Sequence, residues 1–471
     1  MRKTKIVCTV GPAVDTPEMM SALIQAGLNV ARFNFSHGKH EEHLTRLNLI
    51  RSEAKKLGKE VTMLLDTKGP EIRLGVFKDG KIQLNKGDTF TLTTVECEGD
   101  ATRASVTYKG LPQDVKVGDV IMIDDGLIDM TVEKVTDTDV VCKVINGGPV
   151  TNRKKANVPD VSLNLPSMTP QDQADILFAV EHDFDYIAVS FVRKKEDLIE
   201  IYDFLKKHGG EGIQLISKIE NREGIENIDE IIECGDGVMV ARGDLGVEVP
   251  FEEIPIHQKN IIEKCNVLNK VVITATQMLE SMIKNPRPTR AEVTDVANSI
   301  FDGTDATMLS AESAFGDFPI KSVETMSKIA CYTEDNIDYW SEGWFLDVEP
   351  SEDVTNSISH AAYIAAMNLE AAAIVVATAS GKTARNVSMY RPGCPIIAVT
   401  ADKRVYRQLV LSWGVFPVLA EGESMENIHA NAAKYATQTG LVKAGDVIVT
   451  TSGAPTGGNG TTNMLNVQVV K

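Results

Sequence analysis

What this 471-residue chain lacks narrows it before any motif is read. Basic residues are in deficit: 48 Lys plus Arg stand against 66 Asp plus Glu, a formal charge of −18. A surface of that sign repels polyanions, which excludes a general nucleic-acid or anionic-membrane binder and obliges any bound phosphate to meet local positive charge. Cysteine pairing is missing too. The seven cysteines, Cys8, Cys97, Cys142, Cys234, Cys265, Cys331 and Cys394, are odd in number with no C-x-x-C among them. Thiolate zinc sites and disulfide frameworks are therefore not expected, and a reducing compartment is. No window approaches the ~18 unbroken apolar residues of a membrane span, and the apolar stretch behind Met1-Arg2-Lys3 stops at Gly11-Pro12. With neither a span nor a signal peptide, the expectation is a cytoplasmic protein with no nucleic-acid and no membrane partner.

What is present is an ordinary globular composition, 43% hydrophobic and 24% charged, long enough for about three domains. Residues 1–69 alternate strands with amphipathic helices. A strand at 5–10 leads to Thr16 as N-cap, Pro17 at the first helical position, a stripe of Met20, Leu23 and Ile24, and Gly27 as the stop. Strands at 29–35 and 61–66 flank a helix at 41–57. Over 70–167 the rhythm changes to short alternating strands punctuated by Asp79-Gly80, Lys109-Gly110, Asp125-Gly126 and Gly147-Gly148, which predicts an inserted all-β domain, a small barrel without helices. From 168 to 340 the βα alternation returns, with strands at 186–191, 213–220, 237–241, 271–276 and 306–310. Its helices carry a stripe of Ile261, Cys265 and Leu268 and a capping box at Thr289-x-x-Glu292. Three early and five late strands predict a closed (β/α)8 barrel. After an acidic connector at 339–353, residues 341–471 read as a third, open α/β domain, with a helix at 354–369 and strands at 373–378, 395–400, 415–419, 447–451 and 464–470.

In such a barrel, chemistry gathers at the C-terminal strand ends. There stand Arg32, Asn34, Ser36 and His37; Asp66, Thr67 and Lys68; Lys218 and Glu220; Arg242, Gly243 and Asp244; Thr276 and Gln277. A scaffold would not need Lys218 in an apolar strand, because an unpaired buried ammonium is costly. Glu220 and Asp244 suit a magnesium ion completed by waters and substrate oxygens; alternatively each pairs with Lys218 or Arg242. Asn34, Ser36, Asp66 and Thr67 form an oxygen-only cluster with one negative charge, suited to a monovalent cation or simply to loop capping. His37, His40 and His43 share a spacing of three, but the charges around them read as a solvated helix start rather than a metal face. Ser380-Gly-Lys-Thr383 fails as a Walker A motif because Val376 occupies the place of its first glycine. It remains either a phosphate-holding βα loop with Lys382 nearby or a plain turn.

Taken together, 31–38 (ARFNFSHG), 65–73 (LDTKGPEIR), 216–220 (ISKIE), 240–246 (VARGDLG), 275–279 (ATQML) and 285–292 (NPRPTRAE) resemble the pyruvate kinase family, and the likeness runs from end to end. The resemblance implies phosphoryl transfer from phosphoenolpyruvate to ADP, giving pyruvate and ATP. It assigns Mg²⁺ (or Mn²⁺) to Glu220 and Asp244, and K⁺ to Asn34, Ser36, Asp66 and Thr67. Glu71 marks the potassium-dependent type. Catalysis falls to Lys218, Thr276 and Arg32; the substrate to Arg32, Lys218, Gly243, Asp244, Thr276 and Arg73; the nucleotide to Pro12, Asn34, His37 and Arg73. The β insert becomes a lid hinged near Arg73. Thr378, Ser380, Gly381, Lys382, Thr383, Gly460 and Thr461 become an effector site for a sugar phosphate or a nucleotide. A homotetramer is expected, and the chain limits resemble bacterial-style members. Two departures, Ala311 for the usual glycine and Phe315 for a small or basic residue, put the loop at 310–315 in question. The competing readings are a (β/α)8 lyase using the same substrate, which does not explain the insert or the third domain, and a sugar-phosphate sensor on a dead barrel, which does not explain Lys218 beside two carboxylates.

Overall fold

The computed structural model describes residues 1–339, 353–453 and 462–471. Its centre is a closed barrel of parallel strands, Lys5–Thr9, Val30–Asn34, Thr62–Asp66, Tyr186–Val189, Gln214–Ile219, Gly237–Ala241, Val271–Ala275 and Ala306–Leu309, each paired with its neighbours in chain order and the last with the first. These strands are buried on both faces, as they are in barrels wrapped by helices. Period-two alternation sends Val7, Val30, Leu64, Ile216, Met239 and Ile273 into the barrel's interior layer, while Ile6, Cys8, Ala31, Leu65 and Leu215 pack outward against the helices.

Local signals act as the sequence suggests. Thr16 Oγ1 accepts from Met19 N ahead of the helix Pro17–Ala26, and Gly27 closes it at φ 129°. Thr289 and Glu292 satisfy each other's orphan N–H groups in a capping box. One expectation fails. The helix carrying Ile261 and Cys265 ends at Val267, so Leu268 becomes its C-cap and is 41% exposed.

The insert between the third and fourth barrel strands has its own core around Phe77, Phe90, Leu92, Ile121 and Val144. It is the expected all-β insert, but its strand pairing is not that of one closed small barrel. A six-stranded sheet and a two-stranded ribbon enclose that core in place of one continuous ladder, joined to the hinge segments by single bridges such as Arg73 with Lys155 and Leu74 with Val106. A one-turn helix, Leu111–Asp114, also lies in it; Pro112 supplies its first turn, a signal that the turn-rich context obscures.

The third domain is a five-stranded sheet in the order Val415–Leu419, Ile396–Thr400, Ala373–Ala377, Val447–Ser452, Met464–Val469, parallel except for the last strand. Of the expected connector, residues 340–352 lie outside those described. The sheet docks under the barrel, at the N-terminal strand ends. Lys5 Nζ donates to Val415 O at 2.6 Å, Tyr186 Oη to Gln408 O at 3.0 Å, and Arg407 pairs with the buried Asp185 at 2.6 Å. The opposite mouth is left to the insert. Among the described residues no helix is long and apolar enough to cross a membrane.

Candidate active site

The inward-facing side chains change character one layer above the apolar interior. Val30 is followed two residues on by Arg32, Leu64 by Asp66 and Ile216 by Lys218, so the same strand faces that fill the barrel deliver the charged groups to its mouth. There Lys218 Nζ lies 3.0 Å from Asp66 Oδ1 and 2.9 Å from Glu220 Oε1, and it donates to Ser190 Oγ at 2.6 Å. Arg32 Nε donates to Asp66 Oδ2 at 2.6 Å, and its Nη1 to Thr9 Oγ1 at 2.7 Å. Glu220 Oε2 accepts from Phe191 N at 2.8 Å. From the insert, Lys155 reaches down to pair with Asp244, its ammonium 4.6 Å from the Phe191 ring centroid. Three cations and three carboxylates thus share one rim.

Their ionisation follows from that arrangement. Burial opposes charge on each of them, yet Arg32 and Lys218 hold the Asp66 carboxyl below its usual range. Asp66 and Glu220 likewise raise the Lys218 ammonium despite its burial. Asp244 is lowered against burial by Lys155 and Lys218, and Lys155 is raised by Asp244. Glu220 is the exception. Burial, aided by Asp244, pushes its carboxyl up, and the lysines do not fully offset this.

That imbalance bears on a divalent ion. Glu220 Oε1 is buried with the Lys218 ammonium as its ion-pair partner, and the second carboxylate, Asp244, pairs with Lys155. Two carboxylates on neighbouring strand ends, both hard oxygen donors, fit a magnesium-type cation. Among the described residues no group of three or more His, Cys, Asp or Glu could hold a metal, so two carboxylates would leave most of its positions to water and substrate. The alternative of plain ion pairing holds only in part. Glu220 meets Lys218, but Arg242 turns away to Asp295 at 2.7 Å.

The residues expected to hold a monovalent cation lie on adjoining strand ends. Asn34 and Asp66 are register partners on adjoining strands, Asn34 Oδ1 accepts from Ser36 N at 3.1 Å, and Thr67 Oγ1 accepts from Ser190 N at 3.1 Å. Nearby, Glu71 pairs with Arg73 at 2.7 Å, and Arg73 Nη1 donates to Arg153 O at 2.9 Å, so the expected phosphate ligand is held in the hinge. Thr276 stands in the left-handed region at φ 71°; its Oγ1 accepts from Gly243 N at 2.7 Å and donates to Ala275 O at 2.6 Å.

The remaining expectations sort differently. His37 is exposed, His40 pairs with Asp175 at 2.6 Å, and His43 donates to His37 O at 2.9 Å while stacking on Phe35, so the three rings diverge and form no metal face. Pro12 is exposed in the turn Pro12–Val14 beside the first strand. Ala311 begins the helix Ala311–Ala314 with no positive φ, so the departure from glycine strains nothing, and Phe315 is exposed. In the third domain, Gly381 at φ 80° turns the chain into the helix Lys382–Met389; its N–H reaches Thr378 Oγ1 at 2.9 Å, Lys382 N reaches Ser380 Oγ at 3.5 Å, and Thr383 Oγ1 meets Thr462 Oγ1 at 2.6 Å. Gly460 and Thr461 lie outside the described residues. Sequence reading missed Ser190 and Lys155. Ser190 directly follows the fourth strand, where the strand-end rule finds it. Lys155 carries no local signal, because only docking of the insert brings it to the barrel.

This architecture is matched throughout in known proteins. Family profiles for the pyruvate kinase barrel domain and alpha/beta domain match residues 1–323 and 356–468. The pyruvate kinase of Clostridium acetobutylicum is 51% identical over 476 residues, covering all of both chains, and that of Geobacillus stearothermophilus is 49% identical over all of this chain and 80% of its own. A crystal structure of a pyruvate kinase from Cryptosporidium parvum superposes with a TM-score of 0.95 at 40% identity, covering 100% of this chain and 96% of that one. With both family profiles matched and full-length relatives at about half identity, the chain belongs to the pyruvate kinase family and is a phosphotransferase of that type.

Proposed function

We propose that the rim transfers a phosphoryl group from phosphoenolpyruvate to ADP, yielding pyruvate and ATP, as the last step of glycolysis. The observation that carries this reading is Lys218, a cation buried within a barrel strand and held charged between Asp66 and Glu220. Its ammonium and the Arg32 guanidinium together stabilise charge spread over the migrating group, a preorganised arrangement that needs no rearrangement at the moment of reaction. Glu220 and Asp244 would hold Mg²⁺ (or Mn²⁺), which when bound supplies charge neutralisation at phosphoryl oxygens. Lys155, which reaches Asp244 from the insert, would present its charge to the phosphoryl oxygens from the lid side. Gly243 and Thr276 sit where a substrate carboxylate would be received, with Asp244 beside them, while Pro12, Asn34, His37 and Arg73 line the nucleotide side.

Thr276 hands a proton to the enol through water. A hydroxyl whose pKa lies far above neutrality is a poor free acid, and its hydrogen already points at Ala275 O. The insert excludes water that would hydrolyse the donor. Asn34, Ser36, Asp66 and Thr67 take K⁺. The loop of Thr378, Ser380, Gly381, Lys382 and Thr383, with Gly460 and Thr461, receives a sugar phosphate or nucleotide that regulates a homotetramer. A coupled assay tests the reading: pyruvate must form from phosphoenolpyruvate and ADP only with Mg²⁺ and K⁺ present. A folded protein inactive under those conditions refutes it.

A further inference from the structure

Two consecutive residues at the barrel mouth carry a backbone that side chains disfavour. Thr276 and Gln277 stand at φ 71° and 56°, directly after the strand Val271–Ala275. The left-handed region is uncommon for residues other than glycine. For a β-branched residue such as threonine it is an outlier that persists only where the surroundings impose it.

Arg242, the residue after the sixth barrel strand, supplies that constraint. Its Nε donates to Ala275 O at 3.2 Å and its Nη2 to Thr276 O at 2.6 Å. These carbonyls belong to the two peptide planes that flank the Thr276 Cα. One rigid guanidinium therefore holds both planes, and their relative rotation is the φ and ψ of Thr276. The fork is itself anchored. Nη1 and Nη2 donate to Asp295 Oδ1 and Oδ2 at 2.7 and 2.8 Å, from the helix Arg290–Phe301, and Nη1 also reaches Gln258 Oε1 at 3.3 Å. A bidentate pair of this kind fixes direction as well as distance. The N–H groups of Arg242 are thus committed to protein acceptors and act on the site through Thr276.

The hydroxyl follows the backbone. In this conformation Thr276 Oγ1 accepts from Gly243 N at 2.7 Å, next in the chain to Arg242 itself. We infer that Arg242 is a positioning residue for the second half of the reaction: by holding Thr276 left-handed, it keeps the hydroxyl where a proton can be relayed to the enolate. This rests on the proton role proposed above for Thr276. In that step the C2–C3 π pair of the enolate takes a proton from solvent to form the C3–H bond, and an oxygen lone pair closes the C2 carbonyl of pyruvate. Phosphoryl transfer is left to Lys218 and Arg32, whose partners lie elsewhere on the rim.

The two halves can be read separately. Exchange of the pyruvate methyl hydrogens with D₂O, followed by proton NMR with Mg²⁺, K⁺ and ATP present, reports proton transfer. ATP formed in a single turnover at saturating phosphoenolpyruvate and ADP reports phosphoryl transfer. Arg242→Lys keeps a cation for Asp295 but loses the fork. Its exchange rate should fall about 10²-fold, while its ATP formation falls by no more than about threefold. In its crystal structure Thr276 should leave the left-handed region. Asp295→Asn, which loosens the anchor with Arg242 in place, should show the same imbalance in smaller measure and decides the matter if Arg242→Lys does not fold. Equal losses in the two rates, or a Thr276 backbone unmoved in Arg242→Lys, overturns the inference. An unmodified chain that forms ATP without exchanging pyruvate hydrogens strikes the proton role of Thr276, and this inference with it.

Discussion

Lys218 and Lys5 are both fully buried lysines, and their surroundings send them in opposite directions. Lys218 faces two carboxylates and stays charged. Replacing it with methionine leaves Asp66 paired to Arg32 and Asp244 to Lys155, so Lys218→Met should fold with native circular dichroism while kcat falls by about 10²–10³-fold or more. Retained turnover would show that the buried cation does not meet the migrating group. Among the described residues Lys5 Nζ has the Val415 carbonyl as its acceptor and the Phe416 ring 4.7 Å away. Burial, with Arg2 adding repulsion, lowers its pKa to about 7, only partly relieved by Glu334 and Asp305. The unfolded chain therefore holds a proton that the folded chain lacks between about 7 and the ordinary lysine value of about 10.4, so this group makes stability rise with pH across that window and adds no slope below it. At about 1.4 kcal/mol per pH unit the effect is measurable. Urea midpoints of Lys5→Met should rise less steeply from pH 7 to 9 than those of the parent chain; parallel slopes would place the Lys5 titration elsewhere.

Among elements, the hinge carries the most consequence. Arg73 and Lys155 face each other in an isolated antiparallel bridge outside the strands, and from that bridge Lys155 reaches Asp244 while Arg73 holds Glu71. Lys155→Met removes the cation that the insert brings to the rim, so KM for ADP should rise and kcat fall, by about tenfold or more in kcat/KM. Unchanged constants would show that the contact between Lys155 and Asp244 does not bear on turnover. Glu71→Lys should place an ammonium near the Asn34, Ser36, Asp66 and Thr67 oxygens. Its activity in tetramethylammonium should approach that in K⁺, whereas the parent chain should lose activity on the same exchange. An equal loss in both would argue against the assigned potassium site.

For the whole molecule, the question is what fastens the third domain beneath the barrel. Asp185 lies at the start of the fourth strand, fully buried, and its carboxyl is pushed up by burial in spite of Arg407. Arg407→Leu would strand that carboxylate and should cost about 3–5 kcal/mol in urea unfolding. Arg404→Leu, which breaks the exposed pair with Asp183, should cost under about 1 kcal/mol. Similar costs for the two would mean that the buried pair contributes nothing particular to the interface.

The division between chain and fold is visible in single residues. Strand-end placement follows from a period of two and a closed parallel barrel, so Arg32, Asp66, Lys218 and Glu220 could be named from their spacing after apolar positions, and Ser190 stood within reach of the same rule. Caps at Thr16 and Thr289 were legible because they act within four residues. Leu268 was misjudged because its stripe outran the helix, and the insert's piecemeal sheets depend on pairings across tens of residues that turn signals do not specify. Lys155 on Asp244 exists only once the insert packs on the barrel, and Arg242 on Asp295 only once distant segments of the barrel meet. Periodicity and capping are local physics written along the chain; which charge faces which is decided by long-range contacts, and those belong to the folded molecule alone.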